Sequence, residues 1–174
     1  IILPIRNEAA NLPTILASLH DELLNSKYSL VIINDQSTDN YIEIIRSTIS
    51  NWENALQNKV EIVEGENKPD GWIGKSWAIY QGLNQKIGMK EIDSDYLLFI
   101  DADINFQPGV IKSALDCLNE LKVDLLSPYP KQIAKTLMEK IIQPFLHWSW
   151  STTLLINQAG KSKRSSKSRT TYKR

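Results

Sequence analysis

The chain has 174 residues, 42% of them hydrophobic and 23% charged, with twenty Lys/Arg against twenty Asp/Glu. That length suits one domain, or one domain with an appendage, and buries about 70% of its unfolded surface without needing staples. The single Cys117 excludes an internal disulfide, and no run approaches the ~20 apolar residues of a membrane span.

Zero net charge hides a split. Residues 161–174 hold seven of the basic residues and no acid, leaving residues 1–160 with a net of −7. The body reads as acidic and the tail as basic, low-complexity and disordered. A nucleic-acid role rests on the tail alone and is disfavoured. The lone cysteine and the absence of a charged leader predict a cytoplasmic location. The chain begins inside the apolar run Ile1-Ile2-Leu3, which reads as the middle of a first strand and hence as a fragment.

Ile1–Ile5 reads as a strand broken at Pro4, followed by the polar turn Arg6-Asn7-Glu8. Leu12, Ile15, Leu16, Leu19 and Leu23 recur at helical spacing, so a helix is expected to start near Glu8 or Asn11. Tyr28–Ile33 reads as a second strand, ending in the turn-rich cluster Asn34-Asp35-Gln36-Ser37-Thr38-Asp39-Asn40. Ile42, Ile45 and Ile49 predict a helix, and Val60–Val63 a third strand. Residues 64–74 form a loop with Pro69, Gly71 and Gly74, and Lys75–Ile87 a helix burying Trp77, Ala78, Leu83 and Ile87. After the turn Asp93-Ser94-Asp95, the apolar run 96–100 has the length of a buried strand. A helix from about Pro108 to Leu121 and a strand at Val123–Leu126 complete the pattern. Residues 141–156, with Phe145, Trp148 and Trp150, read either as a core helix or as an interfacial segment.

Strands alternating with helices predict an α/β fold of Rossmann-like character, a mostly parallel sheet with helices on both faces. Ligands of such sheets sit beyond the carboxyl ends of the strands. Three polar clusters follow three strands: Arg6-Asn7-Glu8, Asn34-Asp35-Gln36-Ser37 and Asp101-Ala102-Asp103. If the extended geometry continues past Ile100, Asp101 and Asp103 project to one side. Two like charges that close call for a positive partner, and hard oxygens suit Mg²⁺ or Mn²⁺ carrying a phosphate ester. The plain alternative is a strand leaving the core into a polar loop.

The order of these segments resembles the family 2 glycosyltransferases of GT-A fold. The resemblance rests on Leu3–Glu8, Val31–Asp39, Lys75–Leu83 and Phe99–Asp103 with its Asp-x-Asp motif. Gly71-Trp72-Ile73-Gly74-Lys75-Ser76-Trp77-Ala78 is similar to the hopanoid- and carotenoid-associated branch. The resemblance covers about residues 1–130, a nucleotide-sugar-binding core. Residues 131–160 then begin an acceptor-side or membrane-proximal helical segment, and 161–174 form the tail.

The resemblance implies transfer of a sugar from a nucleotide-diphosphate donor, a UDP-sugar by preference, to an acceptor hydroxyl of lipid or isoprenoid type. It further implies a metal-assisted inverting mechanism and membrane association at the cytoplasmic face. Pro4, Arg6, Asn7 and Glu8 would cradle the nucleotide base; Glu8 reads equally as an acid favoured at a helix N-terminus. Asp35 would accept the uracil N–H, or else make an Asx turn. Asn34 departs from the acid often found at its position. Lys75 and its helix N-terminus would meet the diphosphate, or Lys75 is an exposed lysine. Asp101 would hold the ribose or the metal, and Asp103 the metal, Mn²⁺ or Mg²⁺. Ser37 and Asp39 read as caps, and Trp72 and Trp77 as packing, with Trp72 also placed to stack on a sugar.

An inverting enzyme needs a carboxylate to deprotonate the acceptor. After residue 130 the sole acid is Glu139, which reads as solvent-facing, so the catalytic base is not assigned. Two alternatives follow: a non-catalytic nucleotide-binding fragment, or a nucleotidyltransferase, whose glycine- and arginine-rich first loop is missing from Leu3–Asn11. A dinucleotide dehydrogenase is disfavoured, because no Gly-x-Gly-x-x-Gly follows strand one.

Overall fold

The computed structural model describes residues 1–24, 26–86 and 94–153. They fall into two compact units, Ile1–Pro128 and Tyr129–Arg174. In the first, β1 (Ile2–Ile5), β2 (Leu30–Asn34) and β3 (Val60–Glu64) form a parallel sheet with β2 in the middle. The register aligns Ile5 with Asn34 and Asn34 with Glu64, so the three carboxyl ends are level.

Period-2 alternation divides the strands between two cores. Leu3, Ile5, Leu30 and Ile32 pack with Leu12, Ile15, Leu16, Leu19 and Leu23 of α1 (Leu12–Leu23). Tyr41 and Ile45 of α2 (Tyr41–Ile49) and Ile111 join the same cluster. Ile2, Val31, Ile33 and Val63 face the other way, onto Ala78 of α4 (Gly74–Gln81), with Leu83 beside them. Each such side chain contributes about 1.5–3 kcal/mol by leaving water. Helices therefore cover both faces, as expected. A short helix α3 (Asn54–Gln57) precedes β3, and the periodicity did not announce it.

The expected helix over 75–87 ends early. After Gln81 the chain forms a π-helical turn, Gly82–Lys86, and Ile87 lies outside the described residues. A methyl group on Gly82 would run into the Ile33 side chain, so glycine permits this turn to lie close on the sheet. Helix α5 (Val110–Leu121) starts two residues after Pro108, behind Gly109 at φ 78°. The buried carboxylate of Glu22, on α1, accepts the Val110 N–H at 3.1 Å, an acid placed at a helix N-terminus.

The run 96–100 is not a buried strand. Ile2 donates to Leu98 O at 2.7 Å, and Ile100 donates to Ile2 O at 3.1 Å. These make a single parallel bridge between Ile2 and Phe99. The ladder stops there for a chemical reason. The next donor of β1 facing that way is residue 4, a proline without an N–H. Pro4 itself stays within β1, opposite Ile33, so it does not break the strand. Tyr96, Leu97 and Phe99 are exposed at this outer edge, and Ile100 alone is buried. Val123–Leu126 forms no strand either, and Leu125 is 83% exposed. Asp93, Leu154–Ile156 and the basic tail lie outside the described residues.

The second unit contains α6 (Leu137–Thr153), with Pro144 inside it. Thr136 and Glu139 form a capping box. Glu139 N–H donates to Thr136 Oγ1 at 3.2 Å, while Glu139 Oε2 accepts the N–H of Thr136 and of Lys135 at 2.9 and 2.6 Å. These backbone donors, Thr136 first, hold the Glu139 carboxyl below its usual range. Glu139 is exposed, as expected, and its carboxylate is committed to the helix start. Leu137, Ile141, Phe145 and Trp148 form an exposed apolar stripe, with Met138, Ile142 and Leu146 alongside. These side chains are exposed in this chain rather than buried in a core.

Candidate functional site

The loops after β1 and β2 turn through left-handed residues, Asn7 at φ 56° and Gln36 at φ 57°. They are stapled to each other. Asn7 N–H donates to Ser37 Oγ at 3.0 Å, and Thr38 N–H donates to Asn7 Oδ1 at 2.8 Å. Ala9 N–H donates to Asp39 Oδ2 at 2.8 Å. Ser37 and Asp39 were expected as local caps. Instead each reaches about thirty residues back along the chain, and Asn40, the N-cap of α2, makes no side-chain cap bond. Glu8 turns inward to its own helix start, with Oε2 accepting from Asn11 Nδ2 at 2.6 Å.

Asp35 follows the end of β2, and its side chain is only 8% exposed. Arg6 Nη1 lies 3.4 Å from Asp35 Oδ2. A β-carbon on Gly74 would stand 2.7 Å from that oxygen and 3.6 Å from Arg6 Nη1. Glycine is what lets the N-terminus of α4 approach the carboxylate. The next residue, Lys75, pairs with Asp101 across 26 positions, both side chains more than half exposed. Arg6, Asp35, Gly74, Lys75 and Asp101 thus form one continuous rim beyond the strand ends. Residues 102–103 turn, so extended geometry does not carry past Asp101. Ala102 is buried while Asp101 and Asp103 are exposed, which leaves both carboxylates open to solvent.

Beneath the rim, Asn34, Tyr41 and Glu64 bond to one another. Burial first, then the hydrogen bond and charge of Glu64, push the Tyr41 hydroxyl up to about 12. The loop over residues 64–74 is tied down by α4. Glu66 N–H donates to Gln81 Oε1 at 2.6 Å, and Trp77 Nε1 donates to Glu66 O at 3.1 Å. Gln81 is fully buried and was not anticipated. Its place four residues after Trp77 and three after Ala78, on the apolar face, was the available signal. Trp72 leans on Trp77 and Tyr80, with centroids 5.1 and 4.9 Å away. Trp77 packs as expected, whereas Trp72 stays 38% exposed.

Among the described residues no three His, Cys, Asp or Glu side chains gather into a cage for a metal. Two outward carboxylates on one turn instead fit a cation that takes its remaining ligands from phosphate oxygens and water, the habit of Mg²⁺. Asp101 and Asp103 therefore fit the implied ion.

An open parallel sheet whose polar loops gather beyond the carboxyl ends is the framework of a nucleotide-binding α/β domain. Residues 1–170 match the family model for glycosyl transferase family 2, and the chain belongs to that family. Its fold is the α/β, GT-A type expected from the resemblance. The chain is similar to a 4,4'-diaponeurosporenoate glycosyltransferase of Staphylococcus haemolyticus (strain JCSC1435), 30% identical over 145 residues. That alignment covers 83% of this chain and 31% of the relative, so the chain spans about a third of that protein's length. Among solved structures it is similar to S. aureus TarS 1–349, with TM-score 0.48 and 18% identity over 78% of this chain and 39% of that one. The UDP complex of TarS 1–349 matches equally, covering 38% of that chain.

Proposed function

We propose that this chain binds a nucleotide-sugar donor, a UDP-sugar by preference, for transfer of the sugar to an acceptor hydroxyl by a metal-assisted inverting mechanism. The convergence of Arg6, Asp35, Gly74, Lys75 and Asp101 on one rim carries this reading. The Asp35 carboxylate accepts the imide N–H of the base, and Arg6 holds that carboxylate in place. The loop from Pro4 to Glu8 lines the base through backbone groups. The Lys75 ammonium and the first turn of α4 face the diphosphate, where positive charge and free N–H groups favour an anion. Asp101 and Asp103 hold Mg²⁺ or Mn²⁺, which supplies Lewis-acid neutralisation of the departing diphosphate. The relative named for diaponeurosporenoate supports an apolar, lipid or isoprenoid acceptor.

Membrane association at the cytoplasmic face belongs to the same reading. No helix among the described residues is long and apolar enough to cross a membrane, but the exposed apolar stripe of α6 suits lying on one. The alternative is a nucleotide-binding piece without turnover of its own. Glu139 is the sole acid after residue 130 and is engaged in capping.

Calorimetric titration of UDP and a UDP-sugar, with and without Mn²⁺, on wild type and Asp103→Asn tests the reading. Mn²⁺ should tighten binding to wild type and leave the variant unaffected. Equal affinity in all four cases removes the metal role, and no binding to wild type removes the nucleotide. Measured sugar transfer would exclude the turnover-free alternative.

A further inference from the structure

Asn34 ends β2 beside Glu64, which ends β3. Asn34 Nδ2 donates to Glu64 Oε2 at 2.7 Å and to Tyr41 Oη at 2.9 Å, and Tyr41 Oη donates to Glu64 Oε1 at 2.6 Å. The direction of the amide is determined. Asn34 Oδ1 accepts the Ser37 N–H at 2.8 Å, a place an amide nitrogen cannot take. Ser37 Oγ then accepts the Asn7 N–H. An unbroken path of hydrogen bonds runs from Glu64 through Asn34 and Ser37 into the loop after β1. Asn34 is 5% exposed, so the bonds its side chain makes lie beneath the surface, while the link from Ser37 to Asn7 is exposed.

We infer that Asn34 and Glu64 are an amide–carboxylate positioning pair that seats Asp35 and the 6–9 loop against the nucleotide base. The inference rests on the nucleotide-binding reading above, and neither residue touches the base. An amide is required at position 34 because it donates to Glu64 while accepting from Ser37. A carboxylate there would face Glu64 at hydrogen-bond distance, and two such acids do not both ionise. The titratable groups around position 34 are Glu64 on β3 and Tyr41 at the start of α2. Asp39 and Glu43 flank Tyr41, and Asp35 is paired with Arg6.

The test is a charge swap. Asn34→Asp should weaken UDP binding about tenfold at neutral pH, a difference of ~1.4 kcal/mol. Binding should recover towards about pH 5, as one proton bridges the two acids. Adding Glu64→Gln to Asn34→Asp returns a donor to the pair and should restore affinity to within about threefold at neutral pH, the coupling expected of residues in contact. Amide hydrogen exchange at Ser37 and Asn7 supplies a readout without ligand. Protection should fall in Asn34→Asp and return in the double variant. The inference is overturned if Asn34→Asp binds UDP like wild type across about pH 5 to 8. It is also overturned if the double variant is as weak and as fast-exchanging as the single one. If wild type binds no UDP, the nucleotide reading fails on its own, and the exchange rates alone decide whether the pair seats the loop.

Discussion

Asp35 and Gly74 stand so close that a methyl group on residue 74 would lie 2.7 Å from Asp35 Oδ2. Helix α4 therefore begins against the carboxylate that Arg6 holds. Gly74→Ala forces Asp35 or α4 to shift by several tenths of an ångström. UDP affinity should fall about tenfold, equivalent to ~1.4 kcal/mol. Stability should stay level or fall slightly, since residue 74 opens α4 and does not gain the helix-interior preference for alanine. Melting and titration on the same variant separate the two effects. Unchanged affinity would show that the seat of Asp35 is irrelevant to the nucleotide.

Tyr41 offers a pH signature. Its hydroxyl is raised from 10.0 to about 12, by burial first and then by Glu64. Because the folded value lies above the unfolded one, the stabilisation is fully present below pH 10.0 and is lost as pH rises through about 12. In a titration of the tyrosinate absorbance, one of the six tyrosines should ionise late. Glu64→Gln should bring it part of the way back, burial remaining. A wild-type curve with no late component would contradict the packing of Tyr41 under the rim.

The α6 stripe makes a prediction about lipid. The chain should sediment with vesicles containing anionic phospholipid more than with neutral ones, and less so as salt rises. Each Lys or Arg near such a surface contributes roughly 1 kcal/mol, and residues 161–174 hold seven. Ile141→Asp with Phe145→Asp should weaken sedimentation strongly, since both side chains are exposed. Equal sedimentation of this variant would remove the stripe from any membrane role. A concentration-dependent dimer without vesicle binding would assign it to a second copy of the chain.

Much of the scaffold is legible in the sequence. Leu12, Ile15, Leu16, Leu19 and Leu23 repeat at 3.6-residue spacing, and all five are buried. The apolar runs of β1, β2 and β3 likewise marked strands. The run 96–100 misled for a specific reason. Apolar content reports what a segment can pack against, not how many neighbours it has. Here Pro4 removes the donor that would extend the pairing. Val123–Leu126 misled in the same way. Gln81 shows in its spacing from Trp77 and Ala78, but its polarity masks its place on the buried helix face. Ser37 and Asp39 were read as serving their own loop, since sequence shows only local partners.

Local periodicity and turn chemistry come from backbone geometry within a few residues, so the sequence by itself determined the order of elements and the polar clusters after each strand. That Asp35 meets Arg6 from 29 residues away, and Asp101 meets Lys75 from 26, was decided only by tertiary structure. Parallel pairing brings strand ends level at one edge, and side-chain contact there depends on register and on the missing β-carbon of Gly74, neither of which any local pattern encodes.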